Sequence, residues 1–186
     1  MKNVFLEGEH IYLRGLTEED LKGNYVSWLN DEKVCEFNSH HVFPYSVAEG
    51  LAYINASKKT RDAIVLAIIL KGKEIHIGNI ALQGIDYTNK NAEFAIIVGE
   101  QDYWNKGYSK EASLLLVKHG FSEMNLHRIY CGTSQHNIGM QKLAKFLGMK
   151  EEGRLKEQLY KHGSYADILK YGVLKKDFCD LFGIKI

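Results

Sequence analysis

The spacing of apolar positions changes along this chain, and each change marks an element. His10 to Arg14 reads as a first strand. Thr17-Glu18-Glu19-Asp20 has the form of a capping box, and Leu21, Tyr25, Trp28 and Leu29 follow at helical spacing. Asn30-Asp31 ends that helix, and residues 32–45 are irregular, with His40, His41 and Pro44. Ser46-Val47-Ala48-Glu49 is a second capping box, opening a short helix with Leu51 and Ile54 on one face.

The period then drops to two. Ala63–Leu70, a turn at Lys71-Gly72-Lys73 and Glu74–Asp86 predict a hairpin of long strands. Asn89-Lys90 turns the chain again, and Asn91–Val98 is the third strand of this meander. A helix is predicted from about Ser109 to Met124, with Ala112, Leu115, Leu116 and His119 along one side. Leu126–Thr133 is a strand. Asn137 caps a helix carrying Met140, Leu143, Ala144 and Leu147, closed by Gly148. Strands near Met149–Gln158 and Ala166–Leu174 finish the chain. The order is meander, βαβ unit, hairpin. It predicts an α/β fold whose mixed, mostly antiparallel sheet carries helices on both faces.

Composition narrows the class. The 186 residues contain one proline and no repeat or linker, so one domain over residues 1–186 is expected. A net charge of +1 gives no bulk attraction to nucleic acid or membrane. The three cysteines are far apart and lack metal-type spacing, which fits reduced thiols, a cytoplasmic setting and no metal. The first residues lack the apolar core of a signal peptide, and Ala63–Leu70 is too short to span a bilayer.

Candidate chemistry concentrates after the third strand of the meander. Trp104, Asn105, Lys106, Gly107, Tyr108 and Ser109 form a polar loop opening a helix. Free N–H groups and the helix dipole make such a place an anion site, with Lys106 adding charge. A plain helix start with a surface lysine explains the loop alone equally well. In the preceding strand, alternation puts Glu93, Ala95 and Ile97 on one face and Phe94, Ile96 and Val98 on the other. Glu93 is either an edge carboxylate facing water or a base at the floor of a cleft.

These segments together resemble the GNAT superfamily of acetyl-CoA-dependent N-acetyltransferases. The similarity is greatest to the Rim-type branch of ribosomal-protein N-acetyltransferases. Its R/Q-x-x-G-x-G/A motif falls on residues 104–109, its A-E-F on Ala92-Glu93-Phe94, and its L-H-R/K-I on Leu126-His127-Arg128-Ile129. Asn137, Glu152-Gly153, Gly163-Ser164-Tyr165-Ala166-Asp167, Leu13-Arg14 and Trp28-Leu29-Asn30-Asp31 also match. Asn105 and Ser109 replace glycine or alanine, Met140 replaces a common Ser, and Ala144 stands where many members place a tyrosine acid.

The resemblance implies direct acetyl transfer from acetyl-CoA to an amine. Ile96, Ile97 and Val98 would orient the pantetheine, with the N–H of Ile97 or Val98 as oxyanion donor. Residues 104–109 would hold the pyrophosphate, and Asn137, with Met140 beside it, the pantetheine arm. Glu93 would be the base. Tyr130, Tyr171 or a water would replace the missing acid. Trp28, Asp31 and Glu36 lie on the side that would meet the acceptor, where Asp31, Glu32 and Glu36 read more as a solvated loop than as an attraction for a cationic amine. A small-molecule amine such as a polyamine or amino sugar is the expected acceptor, and a protein N-terminus competes with it. A homodimer is compatible with this pattern. The alternative class is a non-catalytic CoA-binding module, for which Ala144 is the main argument.

Overall fold

The apolar run Ala63–Leu70 becomes a buried strand near the middle of an eight-stranded sheet. A computed structural model of the chain describes residues 3–185. Its strands are β1 (Leu6–Glu7), β2 (Ile11–Gly15), β3 (Ala63–Leu70), β4 (Ile75–Asp86), β5 (Asn91–Val98), β6 (Arg128–Ser134), β7 (Lys150–Lys161) and β8 (Ser164–Leu174). Their spatial order is β1-β2-β3-β4-β5-β6-β8-β7. All neighbours pair antiparallel except β5 and β6, which are parallel. A parallel neighbour needs a crossover, here helix α3 (Tyr108–Ser122). The other helices are α1 (Tyr25–Leu29), α2 (Val47–Lys59), α4 (Ile138–Phe146) and α5 (Lys175–Phe182).

Two hydrophobic cores lie on opposite faces of the sheet. The larger joins Leu13, Ile68, Leu82 and Phe94 of the strands to Ala112, Leu116, Val117 and Phe121 of α3, Leu143 of α4 and Phe178 of α5. The smaller joins Tyr12, Ala67 and Ile69 to Tyr25, Trp28, Leu29 and Ile54. Alternation along β5 serves both. Phe94 is buried in the larger core, and Ile97 packs against the smaller.

The helix expected after Thr17 is broken. A 3-10 turn, Glu18–Lys22, is followed by the separate α1, because Gly23 takes an extended backbone between them. Glycine resists helix interiors, and the Asp20 carboxylate both accepts from the Thr17 N–H as a capping box and pairs with Arg14. On α3 the buried side is Ala112, Ser113, Leu116, Val117, Gly120 and Phe121. His119 is therefore off the core stripe and meets Phe5 edge-on. Helix α5 was not legible from periodicity. It is held by an aromatic chain in which Phe178 packs on Phe121 at 5.2 Å and Phe182 on Phe146 at 5.7 Å.

Two contacts fix α1 to the end of β5. The Trp28 indole lies on Gly99, where a Cβ would come within 1.9 Å of the ring. Its Nε1 also donates to Glu100 at 3.0 Å. Beneath α1, Arg14 donates twice to Asp20, at 2.8 and 2.5 Å. His76 Nδ1 lies 3.3 Å from the same carboxylate. Burial alone would raise the Asp20 carboxyl, but Arg14, His76 and the Thr17 N–H outweigh it and hold it below its ordinary value. Burial likewise holds His76 below the usual imidazole value, against the pull of Asp20.

Two predictions follow from this buried network. Asp20→Ala leaves the partly buried Arg14 guanidinium without its carboxylate and is expected to cost about 3 kcal/mol in urea unfolding. Both depressed groups bind more protons in the unfolded chain, so acid destabilises the fold. The His76 part is complete above about pH 6.5 and is lost as pH falls through the lower folded value. The Asp20 part is lost only below about pH 3.9. Unfolding midpoints measured between about pH 7 and about pH 5 should fall for the native chain and stay flatter for His76→Gln. Equal slopes would rule out His76 as the source.

Candidate active site

Strands β5 and β6 run together for three residue pairs only, Asn91↔Arg128, Ala92↔Ile129 and Glu93↔Tyr130. Beyond Glu93 they part, while β5 stays paired with β4 up to Gly78↔Val98. The sheet therefore contains a fork. Backbone groups of a strand alternate in direction, so every second residue of β5 past Glu93 presents its N–H and C=O to the fork. Gly99 N–H donates to Ile77 O of the β4 side at 3.0 Å, which sets the phase. Odd-numbered residues of β5 thus point their backbone at β4, and Phe94, Ile96 and Val98 point theirs away from it.

Of the two expected oxyanion donors, Ile97 and Val98, this phase turns Ile97 away from the fork. The Ile97 N–H is directed at β4, opposite Asn79, because no bulge interrupts this stretch of the ladder. The N–H groups of Ile96 and Val98 open into the fork. The Val98 carbonyl is already committed, accepting from Trp104 Nε1 at 2.7 Å. That bond ties the loop to the strand.

The loop brings two left-handed residues to the start of α3. Asn105 at φ 59° and Gly107 at φ 89° both adopt the left-handed region. Asn tolerates that region among side-chain-bearing residues, and Gly takes it without strain. Gly107 is the N-cap of α3, and its carbonyl accepts from Lys110 and Glu111. Among the described residues no acceptor pairs with the N–H groups of residues 105–109. Residues 105–107 are exposed. Lys106 and Lys73 flank the Tyr103 ring, at 5.2 and 5.7 Å. Lys73 was not singled out in the sequence, since it lies on a distant hairpin turn.

Glu93 lies at the base of the fork, on the face of the smaller core. Its carboxylate accepts from Gln83 Nε2 at 3.3 Å, and Lys170 Nζ stands 3.8 Å away. The side chain is about one-third exposed, at 32%. Tyr130, its register partner across the fork, has its ring 5.8 Å from the Arg128 guanidinium carbon. Tyr171 is buried in the larger core and donates to Glu151 at 3.3 Å. Its hydroxyl is thereby turned to the far edge of the sheet. Ala144 is fully buried, so its position offers no acid. Burial and the neighbouring Glu93 push the Cys131 thiol up to about 12, which keeps it protonated and inert as a nucleophile.

Across the fork, Asn137 caps α4 through its Oδ1, which accepts from Met140 N–H at 3.0 Å. Met140 packs partly into the larger core. On the α1 side, Asp31, Glu32, Lys33, Glu36, Gln101 and His162 line an open recess of about 530 Å³. Asp31 accepts from Gln101 at 3.2 Å, and Glu32 faces His162 at 3.4 Å. The recess therefore borders the segment leading into the loop at residues 104–109. Trp28 is buried in the smaller core and does not line the recess.

Comparison with known proteins agrees with this geometry. Residues 10–150 match the family model for the acetyltransferase (GNAT) domain. An uncharacterised N-acetyltransferase of Bacillus subtilis, YnaD, is 28% identical over 170 residues, spanning 91% of this chain and 96% of that protein. The spermidine N(1)-acetyltransferase of Escherichia coli K12 is 25% identical over 173 residues, covering 90% of this chain and 88% of that enzyme. The crystal structure of spermidine N-acetyltransferase from Vibrio cholerae, in complex with CoA and spermine, shares the fold. Its TM-score is 0.82 at 24% identity, over 91% of this chain and 98% of that one. With three quarters of its length, residues 10–150, matched by that family model, the chain belongs to the acetyltransferase (GNAT) domain family.

Proposed function

We propose that this protein is a single-domain enzyme that transfers an acetyl group from acetyl-CoA directly to a primary amine. The observation that carries the reading is the continuity of three features. The β5–β6 fork, the unpaired N–H groups of residues 105–109 and the Glu93 carboxylate lie along one strand and the loop that leaves it. Acetyl-CoA supplies the activated acyl group when bound. Its pyrophosphate suits the N–H cradle, with Lys106 and Lys73 adding charge. Its pantetheine amides suit the backbone groups of Ile96 and Val98, and Asn137 borders the same opening. Hydrogen bonding of this kind converts a split in the sheet from a cost into a binding site.

The chain's own groups then divide the work. An alkylamine has a pKa near ~10, so it must shed a proton before it can attack. Glu93 is placed to accept that proton, directly or through a water. The N–H of Ile96 or Val98 stabilises the oxyanion, because both donors are fixed by the ladder and need no reorganisation. A thiolate leaving group of pKa roughly 8.5 departs readily without a dedicated acid. Ala144 is therefore compatible with catalysis, and Tyr130 is the β6 residue in register with Glu93 where the fork opens. Among acceptors, polyamines and similar cationic amines are favoured by the carboxylates of Asp31, Glu32 and Glu36 in the recess. The relatives named for spermidine point the same way.

Free thiol released from acetyl-CoA, measured against a panel of polyamines, amino sugars and peptides, tests the proposal. Thiol release with at least one amine is expected. Tight CoA binding with no acetylated product would instead identify a non-catalytic CoA-binding module. Glu93→Gln is expected to lower kcat/KM by about 10²–10⁴-fold and to change its pH profile. An unaltered profile would remove Glu93 as base. Gly107→Ala forces a side chain into the left-handed region, at about 1–2 kcal/mol. Calorimetric CoA affinity should fall roughly tenfold, while KM for the amine changes little.

A further inference from the structure

A primary amine of the chain itself already stands beside the proposed base. Lys170 lies on β8, in register with Gly132 of β6. Gly132 is two residues past Tyr130, the last residue of β6 paired with β5. A Cβ at Gly132 would come within 3.0 Å of Lys170 Nζ and 3.4 Å of its Cδ. The lysine side chain therefore crosses β6 over a glycine, at the height where the fork opens. Its Nζ ends 3.8 Å from Glu93 Oε1 on β5. The ion pair bridges the two strands where they part. Both side chains are partly exposed, at 37% and 32%, so the amine is not sealed in the core. The 3.8 Å separation exceeds a hydrogen bond, which leaves the carboxylate free to relay a proton through water.

We infer that Lys170 is a self-acetylation site, modified from the same acetyl donor when no free amine occupies the acceptor side. This inference rests on the acetyl-transfer reading proposed above. The chemistry is the proposed reaction with a tethered acceptor. Glu93 takes one proton from the Lys170 ammonium. The freed nitrogen lone pair attacks the acetyl carbonyl carbon. The C–N bond forms, the C–S bond breaks, and the second nitrogen proton goes to the departing thiolate. The products are acetyl-lysine, free CoA thiol and one proton. Tethering favours the step, since the amine needs no capture from solution. The product amide is neutral, so the Glu93–Lys170 ion pair disappears and Glu93 keeps only the Gln83 hydrogen bond. Lys170 also competes with a cationic acceptor for Glu93 while it remains charged, and modification removes that competition.

The experiment incubates the full chain with acetyl-CoA and no amine, then locates acetyl groups by peptide mass spectrometry over time. Lys170 is expected to be modified at least about tenfold faster than the exposed lysines Lys58 and Lys118. Saturating spermidine or another accepted amine should suppress that modification, and Glu93→Gln should slow it by about 10²-fold or more. Modification of Lys170 no faster than at Lys58 and Lys118, or unaffected by both the amine and Glu93→Gln, overturns the inference. The amine panel is run on the same preparation. Amine acetylation with Lys170 untouched defeats this inference alone. Absence of thiol release from every sample defeats it together with the acetyl-transfer reading.

Discussion

Backbone hydrogen bonding is the constraint on which this structure turns. A strand that leaves its neighbour exposes N–H and C=O groups that need partners. Strand β5 leaves β6 after Glu93↔Tyr130, yet keeps its full pairing with β4. The unpaired edge is therefore held rigidly by the other edge. Rigid, outward-facing donors and acceptors are what a binding site for an amide-rich arm requires. The chain then continues directly into the loop at residues 104–109, where α3 begins with further unpaired N–H groups. One physical feature, unsatisfied backbone, thus runs from the fork to the helix start.

The surroundings hold that feature open. Trp104 bonds the Val98 carbonyl, and Trp28 lies on Gly99 while its indole N–H reaches Glu100. Asp31 adds a contact to Gln101. The segment around α1 is thereby attached to the strand end and to the loop that follows it. The buried Arg14–Asp20–His76 group lies beneath the same segment and links its 3-10 turn to β2 and β4. Stability and site geometry are coupled here, because what positions α1 also positions one wall of the recess. A charge pair spans the fork itself. Glu93 and Lys170 come from strands on opposite sides of it, and Gly132 gives the lysine its path.

Much of the donor side was legible in residue order. The strands Ala63–Leu70 and Asn91–Val98 have the predicted bounds, since each is a long run of alternating or continuous apolar residues. The loop at 104–109 was recognisable because its motif is contiguous. Asn137 as a cap was legible for the same reason, since capping is a local hydrogen bond over three residues. The acceptor side was harder to read. Gly23 broke a helix whose apolar spacing continues across the break. Trp28 looked available to a ligand but is buried against Gly99, a contact between residues far apart in sequence.

The sequence alone determined the order of elements, the family resemblance, the phosphate-type loop and the candidacy of Glu93. These depend on local spacing, and local spacing is written in the chain. Tertiary structure decided which backbone groups face the fork, setting Ile97 aside as an oxyanion donor and leaving Ile96 beside Val98. That choice depends on ladder phase, which is set by pairing between strands and by the absence of a bulge. Tertiary structure also brought Gln83 and Lys73 of the β3–β4 hairpin and Lys170 of the β7–β8 hairpin beside β5 and the loop that follows it. No spacing rule reaches that far, because sheet order is fixed by how the whole chain buries its two apolar faces.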